Sequence, residues 1–202
     1  MKKIIYLTAL TLIIMILSSC ASQNTQAIPL SKDEIPDLSG HWNANDSREV
    51  SEQMIMSMLS SGWLPNFKSE EERAPRIILG NIENLSDEHI ETGLFMKDIE
   101  REITNSGKAK FVSSKDERSE IREERHNQQS YASDETVKAL ANEAAADFML
   151  MGSIKSVRDV LDNQQVITFQ VDMELVNIET NEKVWLETMP KNKMIYRKKV
   201  KF

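Results

Sequence analysis

The sequence predicts an α/β fold: a mixed sheet of four to five strands with flanking helices. Apolar and polar residues alternate from Ile167 to Leu175, as in a strand with one buried face. An apolar run at 75–82 is followed by Phe95, Ile99 and Ile103 at helical spacing, which indicates a strand and then a helix. Any parallel pair of strands needs a right-handed crossover. The helices are expected to cover mainly one face of the sheet.

An apolar stripe predicts the first helix, and its members are Val50, Met54, Ile55, Met58 and Leu59. Asp46 or Ser47 stands where an N-cap is expected, and Glu49 follows Asp46 by three residues, as in a capping box. Gly62 is a suitable stop. The charged segment 68–73 is predicted to be a solvated loop.

A β-α-β unit is predicted next. The run at 75–82 forms its first strand, the helix ends at Gly107, and residues 109–114 form its second strand. Residues 115–126 are highly charged, and Ile121 is their only large apolar residue. We therefore expect them to form a solvent-facing helix.

The rest of the chain is predicted to form one helix and three strands. Ser133 or Asp134 caps a helix that presents Val137, Leu140, Ala141 and Ala144. Residues 146–157 are apolar on both faces, as in a central strand. The alternating stretch 164–178 and the stretch 183–189 complete a β-meander.

The C-terminal segment 191–202 is basic. It contains no acidic residue and six basic ones: Lys191, Lys193, Arg197, Lys198, Lys199 and Lys201. Such a segment either contacts anionic lipid headgroups, cell-wall polymer or an acidic partner, or is simply a solvated tail. We favour the solvated tail.

The N-terminus has the pattern of a lipoprotein signal. Lys2 and Lys3 precede an apolar stretch from 4 to 17, and the segment ends in Leu-Ser-Ser-Cys at Cys20. This ending resembles the bacterial lipobox, which implies that Cys20 receives a diacylglycerol thioether and an N-linked acyl chain such as palmitate. An ordinary secretory signal is the alternative. Cys20 is the only cysteine, and lipidation would spare an exported lone thiol the need for a partner.

The predicted organisation is therefore a signal peptide (1–19), a lipidated flexible tether (20–36) and a single α/β domain with a basic tail (37–202). Ala21 is not the aspartate that retains many lipoproteins at the inner membrane, so the outer membrane is favoured. Fully stretched, residues 21–40 would reach about 65–70 Å.

The sequence contains no pattern typical of an active site. His41, His89 and His126 lack metal-ligand spacing, and no HExxH, CxxC, GxSxG or phosphate-loop motif is present. We expect no enzymatic activity, no catalytic residue, no metal, no cofactor and no small-molecule substrate. The net charge of −7 argues against a nucleic-acid partner.

Four stretches together resemble one protein family: SGHWNANDSREVSEQMI (39–55), the β-α-β unit at 75–114, AADFMLMGSI (145–154) and VDMELVNIETNEKVWLETM (171–189). They are similar to the LpoB family, outer-membrane lipoproteins that activate penicillin-binding proteins. The late strand and hairpin are shared with curli-secretion lipoproteins of the CsgG type and with TolB N-terminal-like domains.

The resemblance implies a TolB N-terminal-like sandwich and a periplasmic domain that binds a class A, bifunctional penicillin-binding protein and activates it without an enzymatic step. The alternative is a subunit of a curli-type envelope secretion assembly, although the sequence offers little strand beyond one core sheet.

Trp42 and Arg48 are the candidate partner contacts, because exposed tryptophan and arginine are common anchors of interfaces. Packing of Trp42 on the edge of the domain is the competing interpretation.

Overall fold

A computed structural model describes residues 37, 39–113, 115–129 and 145–196, which belong to one unit beginning at Asp37. Within them, five strands form one sheet: β1 (Arg76–Asn84), β2 (Lys110–Val112), β3 (Phe148–Leu161), β4 (Gln164–Asn177) and β5 (Lys183–Tyr196). The strand order is β2-β1-β3-β4-β5. Strand β1 is parallel to β2 and β3, whereas β3, β4 and β5 form an antiparallel meander. The predicted mixed α/β sheet is confirmed, with β3 at its centre.

The described helices are α1 (Ala44–Ser60), α2 (Trp63–Glu71), α3 (Thr92–Ser106) and α4 (Lys115–Gln129). Helices α1 and α3 pack against each other, α1 also contacts β5, and α3 contacts β1 and β2. The predicted apolar residues of both helices are buried. The face of the sheet beneath α1 and α3 is called the covered face below. The helix predicted around Leu140 lies outside the described residues.

The core lies between the covered face and these helices. The alternating residues of β4 all have no exposed surface: Ile167, Phe169, Val171, Met173 and Leu175. Burial of one such side chain contributes about 1.5–3 kcal/mol. The residues between them point to the opposite face, which is called the open face below. One-sided burial therefore fixes the register of β4, because a slip of one residue would expose all five side chains.

Helix α2 corrects the prediction of a loop at 68–73. Lys68 to Glu71 form its last turn, and Glu72 ends it with a left-handed backbone (φ 52°). The apolar anchor of this helix is at its start, where Trp63 packs edge-on against Phe148 with ring centroids 5.0 Å apart. The charged residues therefore extend a helix that is held by apolar contacts at its start. Their own composition gives no sign of this helix.

Strand β5 corrects the prediction of a solvated basic tail. It runs through Pro190 to Tyr196, so Lys191 and Lys193 belong to the sheet and not to a tail. Proline is tolerated here because β5 is an edge strand, where an amide can be absent without breaking the ladder. Residues 197–202 lie outside the described part of the chain.

Asp147 joins the start of β3 to the start of β1. Its carboxylate accepts hydrogen bonds from Arg73 Nη1 and Nη2 at 2.7 and 2.8 Å and from the backbone N–H of Arg76 at 2.7 Å. Burial alone would raise the pKa of Asp147, but the hydrogen bonds from Arg73 and Arg76 outweigh it and lower the pKa. The folded state therefore favours the ionised carboxylate.

Asp147→Asn is expected to lower the free energy of unfolding by about 1 kcal/mol at neutral pH, since Arg73 is partly exposed and water screens the pair. A carboxylate whose pKa is lower in the folded state than in the unfolded state stabilises the fold at pH values above its unfolded pKa, near 4. This stabilisation is lost as the pH falls through the pKa of the folded state. The deficit should therefore shrink at about pH 3. Urea unfolding at both pH values checks this, with the exposed Asp159→Asn as control. An equal deficit at both would contradict it.

Candidate functional site

Helix α1 begins one turn earlier than predicted. Asn43 is its N-cap, with an extended backbone (φ −136°) and a side chain that accepts from the N–H groups of Asn45 and Asp46. The Asp46 carboxylate accepts in return from the N–H of Asn43 at 2.9 Å, which completes a capping box. The prediction of Asp46 or Ser47 as the cap is therefore wrong. Asp46 is instead the N3 residue of the capping box. The N–H groups of Asn45 and Asp46, which lack partners within the helix, already donate to the Asn43 side chain.

Trp42 packs into the domain. Its ring lies edge-on to Phe95 and Phe169, with centroid distances of 6.2 and 5.4 Å. Its indole N–H donates to the buried Ser47 hydroxyl at 2.8 Å. The side chain is half-buried. These contacts give Trp42 a packing role and Ser47 the role of indole acceptor.

Lys193 fastens the start of the domain to its last strand. It forms an ion pair with Asp46, and the side chains of Lys193 and Asp46 are only 3% and 5% exposed. The same ammonium lies 3.1 Å from an Asp37 carboxylate oxygen and donates to the His41 carbonyl at 2.8 Å. These four residues are called the clamp below. A buried ammonium with three oxygen partners is fully satisfied.

Two further contacts join the same elements. Lys191 donates to Glu49 at 2.6 Å; burial alone would lower the pKa of Lys191, but the bond and charge of Glu49 raise it. Gly40 has a positive φ of 70°, and a side chain there would collide with Ile195. The backbone at Gly40 therefore lies directly against β5, as only glycine permits.

Glu88, in the loop after β1, also holds the segment that precedes α1, through contacts with His41 and Trp42. Its carboxylate accepts from the Trp42 N–H at 3.1 Å and lies 2.8 Å from His41 Nδ1. Arg158 of β3 lies 3.4 Å from Glu88 and 2.9 Å from Asp87. A hydrogen bond from the Ser156 hydroxyl, opposed by burial and helped by Arg158, lowers the pKa of Asp87.

The geometry brings Trp42, Asp46 and Ser47 together, whereas Arg48 points along α1 and donates to Asn45 at 2.6 Å. Sequence reasoning missed Asn43, Glu88 and Lys193. Lys193 could have been found from its position, because it lies an even number of residues after the apolar Trp185. In a continuous strand, this spacing places both side chains on the same face. In the described part of the chain, no three acidic, histidine or cysteine side chains are grouped to hold a metal ion.

The fold and the site define a class: a small α/β domain whose N-terminal segment is fastened to the edge strand of a mixed sheet. The chain belongs to the LpoB family of peptidoglycan-synthase activators, because the family model matches residues 46–190. A comparison with curated proteins finds no match. None of the described helices has the length and apolar character needed to cross a membrane.

Similar solved structures include two LpoB C-terminal domains. The domain from Salmonella enterica has 15% identity and a TM-score of 0.44, and the match covers 72% of this chain and 98% of that one. The domain from Escherichia coli has 14% identity, the same coverage and a TM-score of 0.42. The NMR structure of E. coli LpoB has 12% identity and a TM-score of 0.41, covering 89% of this chain and 87% of that one.

Proposed function

We propose that this protein is a lipid-anchored regulator that binds a class A, bifunctional penicillin-binding protein and activates it. The observation that carries the proposal is the match to the peptidoglycan-synthase activator family over residues 46–190, from the first turn of α1 to Pro190 in β5. The lipid would be attached at Cys20, with the anchor in the outer membrane and the domain in the periplasm. No observation favours the curli-type secretion alternative.

Activation of this kind needs no catalytic group on the regulator. A protein that binds the active conformation of a synthase more tightly than the inactive one shifts the population toward the active state. The shift is limited by the difference in affinity, so a tenfold preference supplies about 1.4 kcal/mol. The regulator must therefore present a well-ordered surface. The clamp contributes by holding the start of α1 against β5.

Arg48 is the proposed anchor of the contact with the synthase, and the exposed part of Trp42 lies at the rim of that contact. Both side chains are half-buried and lie at the start of α1, next to the exposed Glu49 and Glu52. Arginine with an aromatic neighbour is a frequent anchor of interfaces. Since Trp42 also packs on Phe95 and Phe169, Arg48 is the residue whose removal tests the contact with least damage to the fold.

The chain from residue 20 with Cys20→Ser should capture a class A penicillin-binding protein from envelope extract and raise its rate of glycan synthesis. Arg48→Ala should weaken capture at least tenfold, while the free energy of unfolding changes by no more than about 0.5 kcal/mol. Arg101→Ala, in α3, is the matched control: it also removes a partly exposed arginine that contacts its own helix, through Asp98.

Two outcomes separate the parts of this proposal. If no penicillin-binding protein is captured and glycan synthesis is unchanged, the function is wrong. If capture occurs and Arg48→Ala behaves like Arg101→Ala, the function stands and only the contact is wrong. Incorporation of labelled palmitate by the full chain, and its loss in Cys20→Ser, tests the anchor separately.

A further inference from the structure

A groove of about 580 Å³ opens between α2 and the start of β5. Its floor is aromatic: the rings of Trp63 and Phe67 pack edge-on against Phe148, with centroid distances of 5.0 and 5.3 Å. Trp63 and Phe148 are almost fully buried, so the half-buried Phe67 provides the accessible ring. Glu70 and Glu182 stand at the rim. This groove, with its three aromatic and two acidic residues, is called the corner groove below.

The charged side chains that line the corner groove are both negative. Glu70 lies in the last turn of α2, Glu182 directly precedes β5, and both are exposed. The Glu182 carboxylate accepts from the Thr180 hydroxyl at 3.0 Å, and neither acid is in an ion pair within the described part of the chain. Three other grooves of this domain each contain a lysine, namely Lys97, Lys108 or Lys155. The corner groove contains no basic residue, so its charge is complementary to a cation.

The aromatic floor already holds one guanidinium group of this chain. The Arg73 guanidinium lies over the Phe67 ring, 5.1 Å from its centroid, while it donates two hydrogen bonds to the Asp147 carboxylate. A guanidinium is planar and weakly hydrated, so it can contact a ring and a carboxylate at the same time. The corner groove repeats this combination, because Glu70 and Glu182 stand beside the same aromatic residues. Its chemistry therefore favours arginine over other cations.

The size and position of the corner groove favour a protein segment over a small cation. A single guanidinium would fill only a small part of 580 Å³, so neighbouring groups of the ligand must occupy the rest. The groove opens beside the start of β5, an edge strand that pairs only with β4 in the described sheet. The outer backbone edge of such a strand can pair with an extended segment, whose side chains then enter nearby grooves.

We propose that the corner groove binds an arginine side chain from an extended, basic segment of a partner protein. The guanidinium contacts Phe67 and pairs with Glu70 and Glu182, and the neighbouring residues of the segment follow the edge of β5. The corner groove lies at the opposite end of β5 from Lys193, which fastens the start of α1. This surface is therefore separate from the proposed synthase contact at Arg48, and the inference does not rest on the proposed function.

The probe is a fluorescein-labelled hexapeptide of alternating glycine and arginine. Fluorescence anisotropy measures its binding to the chain from residue 20 with Cys20→Ser. Replacing both rim acids, Glu70→Gln with Glu182→Gln, should weaken binding at least tenfold, because charge-assisted hydrogen bonds to the guanidinium are lost. The matched control is Glu52→Gln with Glu179→Gln, which makes the same change in net charge at two exposed acids outside the groove. The control should bind the peptide within twofold of the parent chain.

Absence of peptide binding by the parent chain, or an equal loss in the control pair, would overturn the proposal, since binding would then be absent or follow net charge alone. Melting curves confirm that each variant folds, and a folded Phe67→Leu should bind at least threefold more weakly.

Two further ligands test the chemistry of the occupant. The matching peptide with lysine should bind at least threefold more weakly, because an ammonium lacks the planar, two-pronged contact of arginine, and equal binding would refute the choice of arginine. N-acetyl-arginine amide should displace the labelled peptide only at a concentration at least a hundredfold higher than the unlabelled peptide. Displacement at equal concentrations would identify a small-molecule site and refute the protein segment. Failure of any of these tests leaves synthase capture, and with it the proposed function, untouched.

Discussion

Lys193→Met is expected to lower the free energy of unfolding by about 3 kcal/mol, because it leaves the buried Asp46 carboxylate without its main counter-charge. Breaking a buried ion pair costs about 3–5 kcal/mol, and the lower value applies because Lys191 still lies 3.6 Å from Asp46. Urea unfolding at neutral pH measures the change.

The matched control for this change is Lys183→Met on the same strand. Lys183 also pairs with an acid, Glu174, at 2.6 Å, but its side chain is 58% exposed. Exposed pairs contribute about 0–1 kcal/mol, so this variant should unfold nearly like the parent. Equal effects of the two substitutions would show that the clamp does not stabilise the domain.

A double variant separates the ion pair from the packing of the lysine stem. Asp46→Asn removes the charge that Lys193→Met strands, while its side-chain oxygen can still accept from the Asn43 N–H. The double variant should therefore cost less than the sum of the two single variants, since residues in one ion pair are not additive. An additive result would mean that the two side chains act independently.

The elements that the sequence predicted well are those in which local periodicity and burial agree. The stripe from Val50 to Leu59, the spacing of Phe95 with Ile103 and the alternation in β4 each repeat at the period of a single element. Each stripe is buried against another of these elements. In such cases the pattern determines both the type of structure and the face that is buried.

The N-cap of α1 could not be chosen from the sequence. Asn43, Asn45, Asp46 and Ser47 are all good capping residues, so local preference does not distinguish among them. The choice is made by contacts from far along the chain. Glu88 holds the Trp42 amide, and the ring of Trp42 lies against Phe169. The backbone is thereby extended up to Asn43, and the helix can begin only after it.

The basic segment was misread for a related reason. A lysine is costly to bury, so a run containing Lys191 and Lys193 suggests exposure unless a partner is known. The partner of Lys193 is Asp46, which is 147 residues away in sequence. Pro190 does not prevent β5 from continuing to Tyr196, because β5 is an edge strand, where a missing N–H group need not break the ladder. Both errors fall at the clamp, where structure depends on non-local charge pairing that no short window of sequence contains.

Trp42→Ala is expected to lower the free energy of unfolding by about 2–4 kcal/mol, which is in the range for losing a large aromatic side chain from a packed site. The variant loses the edge-on contacts with Phe95 and Phe169 and leaves the Ser47 hydroxyl without its indole donor. Trp42→Phe is the control, because it keeps a ring in the site and removes only the N–H group. Its cost should be about 1 kcal/mol.

Measured together with synthase capture, this pair of variants decides what Trp42 does. If Trp42 serves packing, Trp42→Ala melts earlier but still captures the synthase at temperatures where it is fully folded. If it is a partner anchor, capture is lost although the variant remains folded, and Trp42→Phe weakens capture more than it weakens the fold. The contacts with both core phenylalanines predict the first result. An unchanged melting temperature in Trp42→Ala would contradict it, since removing a half-buried indole ring from a packed site lowers the stability of the fold.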